Sequence, residues 1–460
     1  MVFVAAATLG LAVPASANPT AIVGATVIDV SNFGRSEADI PNAVVVLNGS
    51  KIETVGDRAH VAIPKDATII HAEGRYLIPG LIDGFASQRT AGFARANLYE
   101  GVTTIFVMMA PDGEDGESVI VHDAREPDIR TGSHIGGYSP TGVMPSAHPW
   151  TEHRLHDVRL SNDALVHAVD AAADAGRSAI MIGHDVWPDQ MDIIVAQAKH
   201  RHLTTLAEPA FTTYPYAIRA GVDVLLRADR YQSALAPAWD WLAYSDDPEG
   251  PGGGPAIRAP CKSADTDPQL IAYANQLAHS GTALMPALSM EATADGLDTP
   301  NPWSLPGAKF VTAKDLDDPV DPQTNARPYL AAHPDRKAQL QACALRREAN
   351  DGFFHRAGAH YLAGSTAPGF GIMPGSGLHQ ELKLFQRIGL SPREALATAT
   401  SNVSDVFGWS DIGRVEAGRV ANLVLLKSDP RKDIGAVDDI DVVILKGSVV
   451  NREALLPKKG

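Results

Sequence analysis

Short apolar runs alternate with amphipathic or alanine-rich stretches through the middle of the chain. Thr103–Met109, Ser178–Ile182, Leu203–Ala207, Val222–Leu226 and Thr282–Leu288 are apolar runs of strand length. Ala164–Gly176 and Asp189–Lys199 carry helical periodicity between them, and strands alternating with helices predict βα units on a parallel sheet. Helix starts are marked too. Asp267-Pro268 offers a cap followed by proline at the first helical position, and Ser391-Pro392-Arg393-Glu394 is a capping box. The count suits an α/β fold, a (β/α)8 TIM-type barrel of about 330 residues.

The two ends read differently. Ala43–Leu47 runs into Asn48-Gly49, a hairpin-turn dipeptide, and Lys51–Val55 alternates as a half-exposed strand. Near the other end, Val420–Leu426 and Val442–Leu445 are β-rich, and Lys446-Gly447 turns the second back into Ser448–Val450. These segments predict a small β-sandwich domain built from both chain ends. The expected division is 18–78 plus 409–460 for the β domain and 79–408 for the barrel. Long connections at 228–266 and 289–340 fall after the sixth and seventh barrel strands, on the face where such barrels build their sites.

Composition narrows the partners. With 39 Lys+Arg against 54 Asp+Glu, the net charge of −15 argues against nucleic acid or an anionic membrane surface. Residues 1–17 read as a secretory leader: Val2–Val13 is almost wholly apolar and Ala15-Ser16-Ala17 resembles a cleavage site, although the basic start is missing. The expected location is periplasmic or secreted. No other apolar run reaches the roughly 18 residues of a membrane span. Cys261 and Cys343 match no zinc spacing. Cysteines this far apart are more often independent buried thiols than a pair, and the sequence leaves both readings open.

One stretch carries a family resemblance. Pro79-Gly80-Leu81-Ile82-Asp83 resembles the first barrel strand of the amidohydrolase superfamily, in its imidazolonepropionase-like and prolidase-like branch. Gly101-Val102-Thr103-Thr104, Gly221-Val222-Asp223, Gly377–Leu382 with His379 and Glu381, Ala399–Asn402 and Ile412–Leu423 are similar to further blocks of that branch. The resemblance implies the barrel and a metal-dependent hydrolysis, in which bound ions activate water and an aspartate moves its proton.

The ligand positions that the resemblance implies are changed. The two first-strand histidines read Phe85 and Ser87, the fourth-strand lysine position reads Ile182, the fifth- and sixth-strand histidines read Glu208 and Arg227, and the eighth-strand aspartate reads Thr366. Phenylalanine cannot ligate a metal, and a fixed guanidinium repels one. No metal or other cofactor is therefore expected. The candidate pocket is His134, His184, Glu208, Arg227 and Thr366. His148, His153 and His156, near Trp150, are scattered on the same side, while His200-Arg201-His202 precedes the fifth strand on the wrong face.

Two functions remain in view. The first is a non-catalytic member of the fold, a pseudoenzyme with a structural, regulatory or ligand-binding role. The alternative is a hydrolase of amide or other non-peptide C–N bonds with an altered or metal-free site. Trp239, Trp241 and Tyr244 suit either a plug over the mouth or an interface. On the interface reading the chain forms an oligomer with itself or with an active homologue. Substrate, ligand and partner are not legible.

Overall fold

The computed structural model describes residues 18–108, 120–137, 158–236, 258–297 and 299–457. Eight parallel strands form one sheet in chain order: β6 (Leu81–Asp83), β7 (Val102–Val107), β8 (Asp128–Ile135), β9 (Ala179–Ile182), β10 (Thr204–Ala207), β11 (Val224–Leu226), β12 (Ala283–Met285) and β13 (His360–Tyr361). Period-two alternation divides their side chains. Ile82, Phe106, Met181, Leu206, Val224, Leu226, Met285 and Leu362 pack together on the inner face, joined by Phe407 and Trp409. Ile105, Val107, Ile135, Ile180, Ile182, Leu225 and Leu284 face the helix layer. Strands buried on both faces read as continuous apolar runs for this reason.

The sheet curls. Gly84 N–H donates to Ala363 O at 3.0 Å, Thr366 N–H to Phe85 O at 2.7 Å and Ser87 N–H to Ala367 O at 2.9 Å. The continuations of the first and last strands thus lie side by side. Phe407 packs edge-on and Trp409 tilted against Phe106, with ring centroids 4.9 and 6.1 Å away.

The chain ends meet in a second sheet, ordered β16 (Ser448–Val449), β15 (Ile440–Leu445), β14 (Leu423–Leu426), β5 (Tyr76–Pro79), β1 (Thr20–Val27), β2 (Ile40–Asn48), β3 (Lys51–Asp57), with β4 (Thr68–His71) also on β1. It is one continuously hydrogen-bonded sheet, where the sequence pattern predicted a sandwich. The hairpin loop between β2 and β3 is Gly49-Ser50, one residue later than predicted, with Gly49 at φ +56°. Lys446-Gly447 turns β15 into β16 as expected, both residues at positive φ.

Pro79-Gly80 is the joint between the sheets. Pro79 ends β5, and Gly80 N–H donates to Asn422 O at 2.8 Å. A Cβ on Gly80 would stand 2.1 Å from Thr103 Oγ1, so only glycine passes there. The predicted caps form: Asp267 accepts from Gln269 N–H, and Ser391 and Glu394 bond reciprocally. Cys261 and Cys343 are joined in a disulfide, which decides between the two readings the sequence left open. Among the described residues no helix is long and apolar enough to cross a membrane. The leader 1–17, the histidines 148, 153 and 156, and Trp239, Trp241 and Tyr244 lie outside the described residues.

Candidate functional site

The C-terminal ends of four consecutive strands carry polar side chains. His134 on β8 follows the inner-face alternation, between Gly132, which abuts Phe106, and the outward Ile135. It is 7% exposed, and neither ring nitrogen has a hydrogen-bond partner. Burial, and then the neighbouring His184, push its pKa down to about 3, so the ring is neutral.

Beyond β9 the chain passes Gly183, whose added Cβ would lie 3.1 Å from His134 Cε1, and reaches His184. His184 Nδ1 meets the Glu208 carbonyl, and its Nε2 lies 3.7 Å from Glu208 Oε2. Burial lowers the His184 pKa, with Glu208 opposing. Glu208 follows β10 and its side chain is 3% exposed.

Arg227 follows β11. Its backbone, at φ +59°, turns into a short helix, Ala228–Tyr231, and its N–H donates to Met285 O at 2.8 Å. Arg227 Nε lies 3.8 Å from Glu208 Oε1, an ion pair beyond hydrogen-bond length. Its Nη2 lies 3.3 Å from Asp229 Oδ2, and Arg230 Nε lies 3.4 Å from the same oxygen. Burial works against the Arg227 charge, but Asp229, Glu208 and Glu291 outweigh it and hold the cation.

The network continues inward. Asp229 N–H donates to Glu291 Oε1 at 2.6 Å, Arg347 Nε donates to Glu291 Oε2 at 3.1 Å, and Arg347 also bonds Asp295. Arg347 Nη1 reaches Cys343 Sγ of the disulfide at 3.2 Å. Sequence reading missed this extension. The only local signal was the charge triplet Arg227, Asp229, Arg230; Glu291 and Arg347 lie far along the chain.

Thr366 and Phe85 sit elsewhere, on the seam between the first and eighth strands. Thr366 Oγ1 donates to Ser365 O at 2.6 Å, and no hydrogen bond or ion pair among the described residues joins it to Glu208 or Arg227. Phe85 packs on the inner apolar cluster. Gly364 has no room for a Cβ, which would lie 2.7 Å from Met285 Sδ and 2.8 Å from Phe85 Cβ. Ile182 needs a correction: its side chain packs outward among the helices, and Met181 holds the inward position. Strand alternation decides this, because a one-residue shift exchanges the faces. Ser87 lies half-buried beside the seam.

Two buried carboxyls that the sequence reading gave no chemical role are fastened to backbone. Asp83 accepts from Ser365 N–H at 2.9 Å and Oγ at 2.6 Å; burial raises its pKa to about 6. Glu381 accepts from Leu288 and Ser289 N–H at 2.9 and 2.6 Å, and burial raises it to about 7. His379 bridges Asp438 Oδ1 at 2.9 Å and Glu100 O at 2.8 Å. All three hold elements together.

Residues 341–450 match the amidohydrolase family. The fold is shared along nearly the whole chain with several solved structures. One is a Xaa-Pro dipeptidase, at 15% identity and TM-score 0.60, covering 94% of this chain and 100% of that one. The chain therefore matches the amidohydrolase family over that stretch and shares its fold with this structure. Other solved structures of the same fold include molinate hydrolase, 15% identical with TM-score 0.61 over 96% of each chain. Ochratoxinase from A. niger is 16% identical with TM-score 0.59, over 94% of this chain and 96% of that one. Adenine deaminase 3 of Rhizobium meliloti is 37% identical over 73 residues, which are 15% of this chain and 12% of that enzyme's length.

The amidohydrolase resemblance implies a divalent metal, and the described donors do not fit one. No group of three or more His, Cys, Asp or Glu among the described residues is arranged to hold an ion. A guanidinium stands 3.8 Å from the Glu208 carboxylate, where a metal would need that oxygen free.

Proposed function

We propose that this chain is an amidohydrolase-fold protein without the superfamily's metal centre, acting as a non-catalytic, ligand-binding or regulatory subunit. The observation that carries the reading is Arg227 against Glu208 at the ends of the fifth and sixth strands. The pair supplies its own charge balance and leaves the Glu208 carboxylate engaged by a fixed cation. The test is elemental analysis of purified protein together with assay on simple amides. No stoichiometric zinc, manganese or iron and no turnover are expected. About one or two ions per chain, lost on mutating nearby side chains, would sink the reading.

A metal-free hydrolase is the second reading. It is favoured by neutral His184 in contact with Glu208, a pair able to take and pass a proton. Turnover that survives chelation but not His184→Gln would select it. The proposal also includes a closed eight-stranded barrel over 79–408 with a β domain from 18–78 and 409–460. It further includes export through residues 1–17 and assembly with itself or an active homologue.

A further inference from the structure

The mouth is divided by chemistry. Its side from the third to sixth strands carries His134, His184, Glu208 and Arg227; its side from the seventh, eighth and first strands carries Met285, Gly364 and Phe85. On the polar side Arg227 stands against Glu208 and Asp229, and Arg230 against Asp229, so these charges already have partners.

What remains unspent is neutral hydrogen bonding. His134 has two ring nitrogens without a partner, and Arg227 Nε has no hydrogen bond. A neutral imidazole presents one N–H and one lone pair. Leaving both unmade in a buried site is costly, and such a group calls for an explanation. Gly183 keeps its own side of the ring clear of a side chain.

We infer that His134 is the recognition residue of a binding site for an uncharged ligand, one whose hydrogen-bonding edge meets a ring nitrogen of His134 and whose body is an apolar ring or chain. The polar edge meets one nitrogen of His134, and the apolar body lies toward Phe85 and Met285. This rests on the metal-free reading above and adds the ligand's class to it.

The experiment is calorimetric titration of the full chain with three ring compounds of similar size. Pyridone is uncharged with adjacent carbonyl and N–H, benzoate is an anion, and benzamidine is a cation. Pyridone should saturate at least about ten-fold more tightly than either ion, the worth of roughly one buried hydrogen bond. His134→Leu should lose about that factor, and His134→Gln, which keeps a donor and an acceptor, should restore part of it. Circular dichroism melts establish that both variants fold. Should His134→Leu not fold, the His134→Gln variant and the ranking of the three compounds decide. No saturable pyridone binding, equal affinity for all three, or unchanged binding by a folded His134→Leu would overturn the inference and leave a trapped water as the partner of His134. Metal content of the same batch reports separately on the metal-free reading.

Discussion

Replacing Arg227 by methionine keeps the length of the side chain and removes its charge. Glu208 and Asp229 then lose a cation at 3.8 and 3.3 Å. At an effective dielectric of about 20, each contact represents about 4 to 5 kcal/mol of Coulomb attraction, much of it cancelled by desolvation. Asp229 keeps Arg230 at 3.4 Å and Glu208 keeps neutral His184, so one carboxylate is left short of a counter-charge. Stranding a buried charge in this way costs about 3 kcal/mol. Urea unfolding of the wild type, Arg227→Met, Glu208→Gln and the double variant measures the cycle. The double variant should recover a large part of the loss, because no unpaired charge remains. A single-variant loss below about 0.5 kcal/mol, or strictly additive losses, would refute the argument that the two groups stabilise each other.

Asp83 keeps its proton in the folded state up to about pH 6 but loses it near 3.8 when unfolded. Its contribution is therefore complete at low pH and is lost as pH rises through 6. Relative to wild type, Asp83→Asn should gain on the order of 3 kcal/mol between about pH 4 and pH 7, and a constant difference would count against it. Measuring the difference removes the opposite contribution of His134 and His184, whose lowered pKa values favour the fold as pH rises. Reduction of the Cys261–Cys343 bond, with a sequence separation of 82, should lower stability by about 4 kcal/mol in chemical denaturation if chain entropy dominates. Zinc titration of Phe85→His/Ser87→His should reveal no tight site until Arg227 is also replaced by histidine; a tight site in the double variant would show that the guanidinium does not exclude metal.

The alternation of strands and helices was readable because each element buries a face whose period is local. Leu206 and Glu208 share the inward face, Met181 and Ile182 do not, and the second fact needed the register that only pairing supplies. The Gly49-Ser50 loop shows the same limit, since a turn dipeptide marks a hairpin but not its exact register. The ion network was invisible because its members come together from the sixth strand, a helix after the seventh and the helix Pro334–Ala357. Cys261 and Cys343 were likewise brought within 4.5 Å, Cα to Cα, by helix packing that no spacing rule encodes.

The sheet made from both chain ends sets an order on biosynthesis. β5 holds β1 on one edge and β14 on the other, and β14 leaves the ribosome long after β5. Until Leu423–Leu426 arrives, the edge of Tyr76–Pro79 is an unpaired apolar template, open to any other nascent chain. The central parallel sheet can assemble during this wait, but the Pro79-Gly80 joint cannot take its bond from Asn422. A stalled or truncated chain would therefore hold much of its core and still be sticky at one line of backbone. Its failures should be aggregates of nearly finished molecules.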